Sequence, residues 1–136
     1  MKYQVMYNNG TRIRVRSGQA AFTKKEGYGI SSLLLENNFI KEKICAIHHT
    51  GLGPDLLKRQ TGPHCHYVGI TPDKEFVYAV DLGADKVIMY TYQDGKLEED
   101  VEHTLNVVPG SGPRHMIFSK DGRFAVSYTH LTLPTT

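Results

Sequence analysis

This 136-residue chain lacks long hydrophobic runs, has few cysteines and has almost no charge imbalance. No stretch approaches the roughly 18 apolar residues that a membrane-spanning helix needs, so no membrane association is expected. The start, Met1–Gln4, lacks the apolar core of a signal peptide, and we therefore expect a cytoplasmic protein. The net charge of +2 is too small to indicate a polyanionic partner, so no nucleic acid is expected either.

The two cysteines, Cys45 and Cys65, are too few and too far apart to indicate a disulfide framework. We expect free thiols in a reducing compartment. Cys65 lies between two histidines and alternates to the opposite face of its strand. This position predicts a core residue rather than a nucleophile.

Convincing helical patterns are also lacking, whereas short apolar runs bounded by turn residues recur along the chain. Strands are predicted in the central unit over Cys65–Ile70, Phe76–Asp81 and Lys86–Tyr92, with a fourth strand inside Leu97–Val108. Four short antiparallel strands at this spacing are typical of one blade of a β-propeller. Two strands of an earlier unit are predicted over residues 29–35 and 39–48.

A repeat of 48 residues relates the central unit to the next one. The turn Thr71–Lys74 has its counterpart in Ser119–Gly122. A unit of this length cannot bury its own faces, so it must stack with copies of itself. In this alignment His66 falls opposite Arg114, and polar residues at equivalent places in successive units should gather at one point in space.

The two ends of the chain fit this pattern poorly. Met1–Lys25 contains six lysines or arginines and no acid, for which an exposed edge strand, a basic arm and an upstream reading-frame error are the alternatives. Val126–Thr136 resembles the translation of a transposon-type sequencing adapter, so we expect the native sequence to end near Ala125. Three parts are therefore predicted: an atypical basic segment (1–28), propeller blades (29–125) and a non-native tail (126–136).

Five motifs carry a family resemblance: Gly51-Leu52-Gly53-Pro54, Arg59-Gln60 with Pro63-His64-x-His66, Thr71-Pro72-Asp73, Ala79–Val87 and Pro109–His115. Through these motifs, residues 29–125 resemble the seven-bladed β-propeller lactonases, the family of propeller-type bacterial 6-phosphogluconolactonases. The resemblance implies an all-β fold, a partial seven-bladed β-propeller with about two four-stranded blades present. It also implies hydrolysis of a sugar phosphate lactone, 6-phospho-D-glucono-1,5-lactone, without a cofactor. Seven such blades need roughly 340 residues, so the chain alone is expected to be inactive.

The first strand of each propeller blade lines the central channel, so His66 and Arg114 are expected to converge there. Lactone hydrolysis needs a base to activate water and a positive charge to stabilise the carbonyl oxyanion. We predict that His66 is the catalytic base or proton shuttle, because an imidazole titrates near neutral pH. Arg114 is predicted to hold the oxyanion or a phosphate, which a guanidinium binds bidentately.

Three further residues, Arg59, His64 and His115, are predicted to bind substrate at the channel mouth. Each has a structural alternative: a salt bridge between Arg59 and Asp55, a strand-end hydrogen bond for His64, and packing beside the strand for His115. No metal is expected, because two histidines on one strand lack the third ligand and the carboxylate of a catalytic site.

The remaining polar residues are interpreted as structural. His48, His49 and His103 fall on outer strands and are predicted to lie on the surface. Asp81 and Asp85 are predicted to be turn residues that close a hairpin. For the whole protein, a non-enzymatic propeller scaffold and an enzyme acting on another lactone or a muconate-type acid are the alternative functions.

Overall fold

The computed structural model describes residues 2–8, 29–37, 39–50 and 62–128. Within these ranges every regular element is a β-strand. The strands form three antiparallel sheets that contact one another in chain order. The predicted all-β fold is therefore confirmed.

The first sheet contains β1 (Lys2–Asn8), β2 (Gly29–Glu36) and β3 (Phe39–His48), with β2 in the middle. β2 lies between two strands and is buried over six consecutive residues. The strands predicted over residues 29–35 and 39–48 are confirmed as β2 and β3. An exposed edge strand is one of the alternatives for Met1–Lys25, and β1 is a strand at the edge of this sheet.

The second sheet is the most complete, with strand order β4-β5-β6-β7 and β8 also paired with β6. Its strands are β4 (Cys65–Ile70), β5 (Val77–Asp81), β6 (Lys86–Gln93), β7 (Lys96–Glu99) and β8 (Leu105–Asn106). β7 and β8 pair with opposite ends of β6, so the predicted fourth strand is split in two. The hydroxyl of Thr104 accepts the Met89 N–H (3.1 Å) and holds the connecting turn against β6.

Side chains of the second sheet alternate between two hydrophobic layers. One layer faces the first sheet, and the other faces the third. Cys65 belongs to the first layer and is completely buried, which confirms its prediction as a core residue. The buried members are Ile30, Cys65, Val77, Ala79, Ile88 and Tyr90 in the first layer, and Tyr78, Val80, Val87 and Met116 in the second.

The third sheet pairs β9 (His115–Phe118) with β10 (Ala125–Tyr128). β10 continues for three residues beyond Ala125, so the first part of the predicted tail lies in a paired strand. The turn between β9 and β10 repeats the main side-chain hydrogen bonds of the turn between β4 and β5. In the earlier turn the Thr71 hydroxyl donates to Asp73 (2.6 Å) and accepts the Phe76 N–H (3.1 Å). The later counterparts are Ser119 Oγ to Asp121 (2.6 Å) and Phe124 N to Ser119 Oγ (3.1 Å).

The turn between β5 and β6 lies directly against the segment that enters β4. A Cβ atom built on Gly83 would overlap the carbonyl oxygen of Gly62 and approach the His64 nitrogen to 2.8 Å. The φ angle of Gly83 lies outside the left-handed region, so crowding rather than backbone conformation requires glycine here. These neighbours of Gly83 are backbone atoms, which cannot rotate aside as a flexible side chain can.

We expect Gly83→Ala to destabilise the intact protein by about 1–3 kcal/mol, because the added methyl forces two backbone segments apart. Gly62→Ala is the matched control, since a Cβ at Gly62 meets nothing within 4 Å. Denaturant unfolding of both variants measures the difference. Equal midpoints for the two variants would contradict the close packing.

Candidate functional site

The polar cluster lies where β4 and β9 begin. The imidazole rings of His66 and His115 meet nearly at right angles, with ring centroids 5.1 Å apart. The His64 ring lies 6.2 Å from that of His66 on the other side and is close to parallel with it. Histidines from two successive units are thus brought together, in the way that the 48-residue repeat predicts.

A β-bulge sets the direction of His66. Cys65 pairs with Asp81 but Tyr67 pairs with Val80, so His66 is the extra residue on β4. In a regular strand two consecutive side chains point to opposite faces. Here the rings of His66 and Tyr67 both contact His115, the latter with centroids 5.5 Å apart. The bulge therefore turns His66 towards the neighbouring unit.

The surroundings of His66 favour its neutral form. Partial burial lowers the pKa of the imidazole below its ordinary value of 6.5. A positive charge on His115, Arg114 or His64 acts in the same direction, because it opposes a further positive charge on His66. His66 is therefore a neutral base at neutral pH.

Two buried nitrogen atoms of the cluster make no hydrogen bond within the described residues. They are Nδ1 of His66 and Nε of Arg114. Buried polar atoms in proteins are nearly always paired, so unused hydrogen-bonding capacity on neighbouring side chains is a feature of binding sites. Of the residues predicted from sequence, ring contacts bring together His64, His66 and His115, and Arg114 immediately precedes His115 at the start of β9. Arg59 lies outside the described residues.

A second polar network, centred on His49, lies between the first two sheets. Its Nδ1 lies 2.6 Å from Asp81 Oδ2, and its Nε2 lies 2.8 Å from the Tyr90 hydroxyl. The ring is buried, so the prediction of a surface histidine is wrong for His49. The chain turns inward after β3 and places this ring between the first two sheets. His48 and His103 are exposed as predicted.

Asp81 is the centre of this network. Its Oδ1 accepts the backbone N–H groups of His64 (2.8 Å) and Ala84 (2.9 Å), while Oδ2 faces His49. Burial opposes ionisation, but the hydrogen bond and charge of His49 and the two N–H donors hold the pKa of Asp81 below its ordinary value. With Asp81 ionised, His49 Nδ1 carries the proton, and in a neutral ring Nε2 accepts from the Tyr90 hydroxyl.

An aspartate, a histidine and a hydroxyl in this order resemble a catalytic triad. The side chains of His49 and Asp81 are 1% and 0% exposed, however, so substrate cannot reach them. The network is therefore part of the scaffold. Sequence gives one weak signal for it: Asp81 ends a strand, Val77–Asp81, that is otherwise apolar and fully buried.

Asp85 makes a comparable pair of bonds at the other end of the same turn. Its two carboxylate oxygens accept the N–H groups of Gly110 (2.7 Å) and Gly112 (2.8 Å). Asp81 and Asp85 do flank a hairpin turn, as predicted. Their side chains also bind the backbone of the loops that lead into β4 and β9. The prediction of turn residues does not include these long-range hydrogen bonds.

Among the described residues, no group of three or more histidine, cysteine, aspartate or glutamate side chains has a geometry that could hold a metal ion. In the same residues, no helix is long and apolar enough to span a membrane.

We expect the His66 imidazole to titrate below pH 6.5 and its pKa to rise in Arg114→Met, because that substitution removes a nearby positive charge. NMR of labelled histidines in the intact protein measures both values. Arg123→Met is the control, since the Arg123 guanidinium lies over the Phe124 ring in the β9–β10 turn. An unchanged His66 pKa in Arg114→Met would show that the two groups do not interact.

Comparison with known proteins places this chain in a family. The model of the family described as lactonase, 7-bladed beta-propeller matches residues 25–132. The 6-phosphogluconolactonase of Bacillus subtilis is 40% identical over 97 residues, which are 71% of this chain and 27% of that protein. The chain therefore spans about a quarter of the length of this curated relative.

Two solved structures show the same relationship. A candidate 6-phosphogluconolactonase of Bacteroides fragilis is 32% identical with a TM-score of 0.69, over 80% of this chain and 32% of that one. The periplasmic gluconolactonase PpgL of Pseudomonas aeruginosa is 29% identical with a TM-score of 0.66, over 86% of this chain and 34% of that one. Given a family match over most of its length, this chain belongs to the seven-bladed β-propeller lactonases.

Proposed function

We propose that the intact protein hydrolyses 6-phospho-D-glucono-1,5-lactone to 6-phosphogluconate. The observation that carries this proposal is a neutral imidazole, His66, which lies against the rings of His64 and His115 and whose pKa is lowered in part by the charge of Arg114. The name of the Bacillus subtilis relative supplies the substrate. A base and a cation at one point are the two groups that opening a lactone with water requires.

In this proposal His66 is the general base and then the general acid. The imidazole takes a proton from water as the hydroxide adds to the lactone carbonyl carbon. It then returns this proton to the ring oxygen when the bond between carbonyl carbon and ring oxygen breaks. The lowered pKa of His66 keeps the base unprotonated at neutral pH.

Arg114 is proposed to stabilise negative charge. A guanidinium keeps its positive charge at neutral pH and can bind a carbonyl oxyanion or a phosphate through more than one N–H group. His64 and His115 flank His66 and are proposed to bind substrate hydroxyls or the phosphate. The substrate-binding role of Arg59 remains a prediction from its motif. An interaction scaffold has no need for this combination of groups.

Hydrolysis of the unphosphorylated lactone is a second candidate function. It is favoured by the similarity to the Pseudomonas aeruginosa protein that is named a periplasmic gluconolactonase. The two candidates differ in compartment as well as substrate, because phosphorylated sugars are retained inside the cell. We propose the phosphorylated substrate and a cytoplasmic location.

We expect His66→Ala to lower kcat/KM by about 10²–10⁴-fold in the intact enzyme, because the general base is lost. The wild-type kcat/KM should rise with pH through the His66 pKa, with a midpoint below 6.5. Rates are measured after subtraction of spontaneous lactone hydrolysis. His103→Ala, which changes an exposed histidine, is the control. Unchanged kcat/KM in His66→Ala would exclude this role.

A comparison of two substrates should separate the possible roles of Arg114. If the guanidinium stabilises the oxyanion, Arg114→Met lowers kcat by about 10²–10³-fold with both 6-phosphogluconolactone and gluconolactone. If it binds the phosphate, the loss is confined to the phosphorylated lactone and appears in KM. Arg123→Met is the matched control. If Arg114→Met and Arg123→Met change kcat and KM by the same small factor, Arg114 is not part of the site.

A further inference from the structure

The two catalytic candidates are anchored through the same short turn. The His64 N–H donates to Asp81 and the Gly112 N–H donates to Asp85, each at 2.8 Å. His64 and Gly112 are equivalent residues of the repeat, 48 positions apart. Each of them stands two residues before a catalytic candidate, His66 in one unit and Arg114 in the next. The anchors thus occupy the same place in the two units.

We propose that Asp81 and Asp85 are positioning residues, which set the separation of His66 and Arg114 by fixing two neighbouring channel strands to one turn. The catalytic importance of that separation rests on the proposed function, whereas the placement itself does not. Two residues of chain span no more than about 7 Å, so an anchored backbone leaves the side chain two positions later little freedom to move.

The turn that links the two anchors is itself held from several sides. Asp81 accepts the Ala84 N–H across the turn (2.9 Å), and its second oxygen is held by His49 at 2.6 Å. The Asp85 carbonyl accepts the Val107 N–H (3.1 Å) in addition to the two glycine N–H groups on its side chain. Movement of either strand entry relative to the other would therefore break bonds at buried carboxylates.

Asp85→Asn tests the proposal with a closely matched control. The asparagine amide presents an N–H₂ to one of the two glycine N–H groups, so one bond is lost while side-chain size is kept. Asp85 has a φ of 54° and Asp94, in the exposed β6–β7 turn, has a φ of 51°. Asparagine tolerates this left-handed region as aspartate does, so Asp94→Asn controls for the backbone.

The first measurement needs no activity. The nuclear Overhauser effect between the His66 and His115 rings, which are 5.1 Å apart, reports the separation of β4 and β9 in the intact protein. We expect this signal to weaken in Asp85→Asn and to persist in Asp94→Asn. Persistence in both variants would overturn the proposal, whether or not the protein hydrolyses any lactone.

The second measurement uses lactone hydrolysis. A displacement of about 1 Å can cost 10²-fold, so we expect kcat to fall about 10–100-fold in Asp85→Asn with KM changed much less. In an Arg114→Met background the same substitution should have little further effect, because Asp85 acts through Arg114. An equal fold-loss in both backgrounds would indicate a general structural role and overturn the proposal. Asp81→Asn in wild-type and His66→Ala backgrounds repeats the test on β4.

If the wild-type protein shows no turnover of either lactone, the proposed function fails and the ring-to-ring measurement alone decides the positioning role. If turnover is found and the ring signal is unchanged in Asp85→Asn, the proposed function stands and the positioning role fails.

Discussion

A buried carboxylate can stay ionised only when donors surround it, because transfer of a charge out of water costs several kcal/mol. Asp81 meets this requirement with one donor from each of three chain segments: the His49 ring after β3, the His64 N–H before β4 and the Ala84 N–H within the turn after β5. Asp81 therefore joins all three segments through one charged group, and with them the entry of the strand that carries His66. The Leu82 N–H, which donates to the His64 carbonyl (2.9 Å), joins two of these segments a second time.

The sequence repeat and the bulge on β4 have separate effects on the polar cluster. The 48-residue repeat determines where His66 and Arg114 lie, since equivalent positions of stacked units fall side by side. The bulge on β4 determines the direction of His66, because it places two consecutive rings against His115. Units with the same turns and strand order can thus place different side chains, such as His66 and Arg114, at equivalent positions of one site.

Local signals predict much of this structure. The strands of the second sheet follow from alternating apolar residues between turn residues. The repeat predicts that His66 lies near the start of the next unit, where the structure has His115 against its ring. The burial of His49 does not follow, because its partners lie 32 and 41 residues further along the chain. The bulge at His66 depends on strand register. The break between β7 and β8 involves a Thr104 hydroxyl that bonds across to β6. Each of these three features is set by tertiary contacts that no short window of sequence contains.

The hydrogen bonds of the repeated turns and those of His49 enclose very different lengths of chain. Thr71 bonds to residues two and five positions away, whereas the His49 ring bridges 32 and 41 positions. The entropy lost on closing a loop grows with its length, so the repeated turns can form before the sheets have docked. The His49 contacts require docking of the first sheet on the second. Their formation therefore separates a chain that has only formed its hairpins from one whose units are assembled.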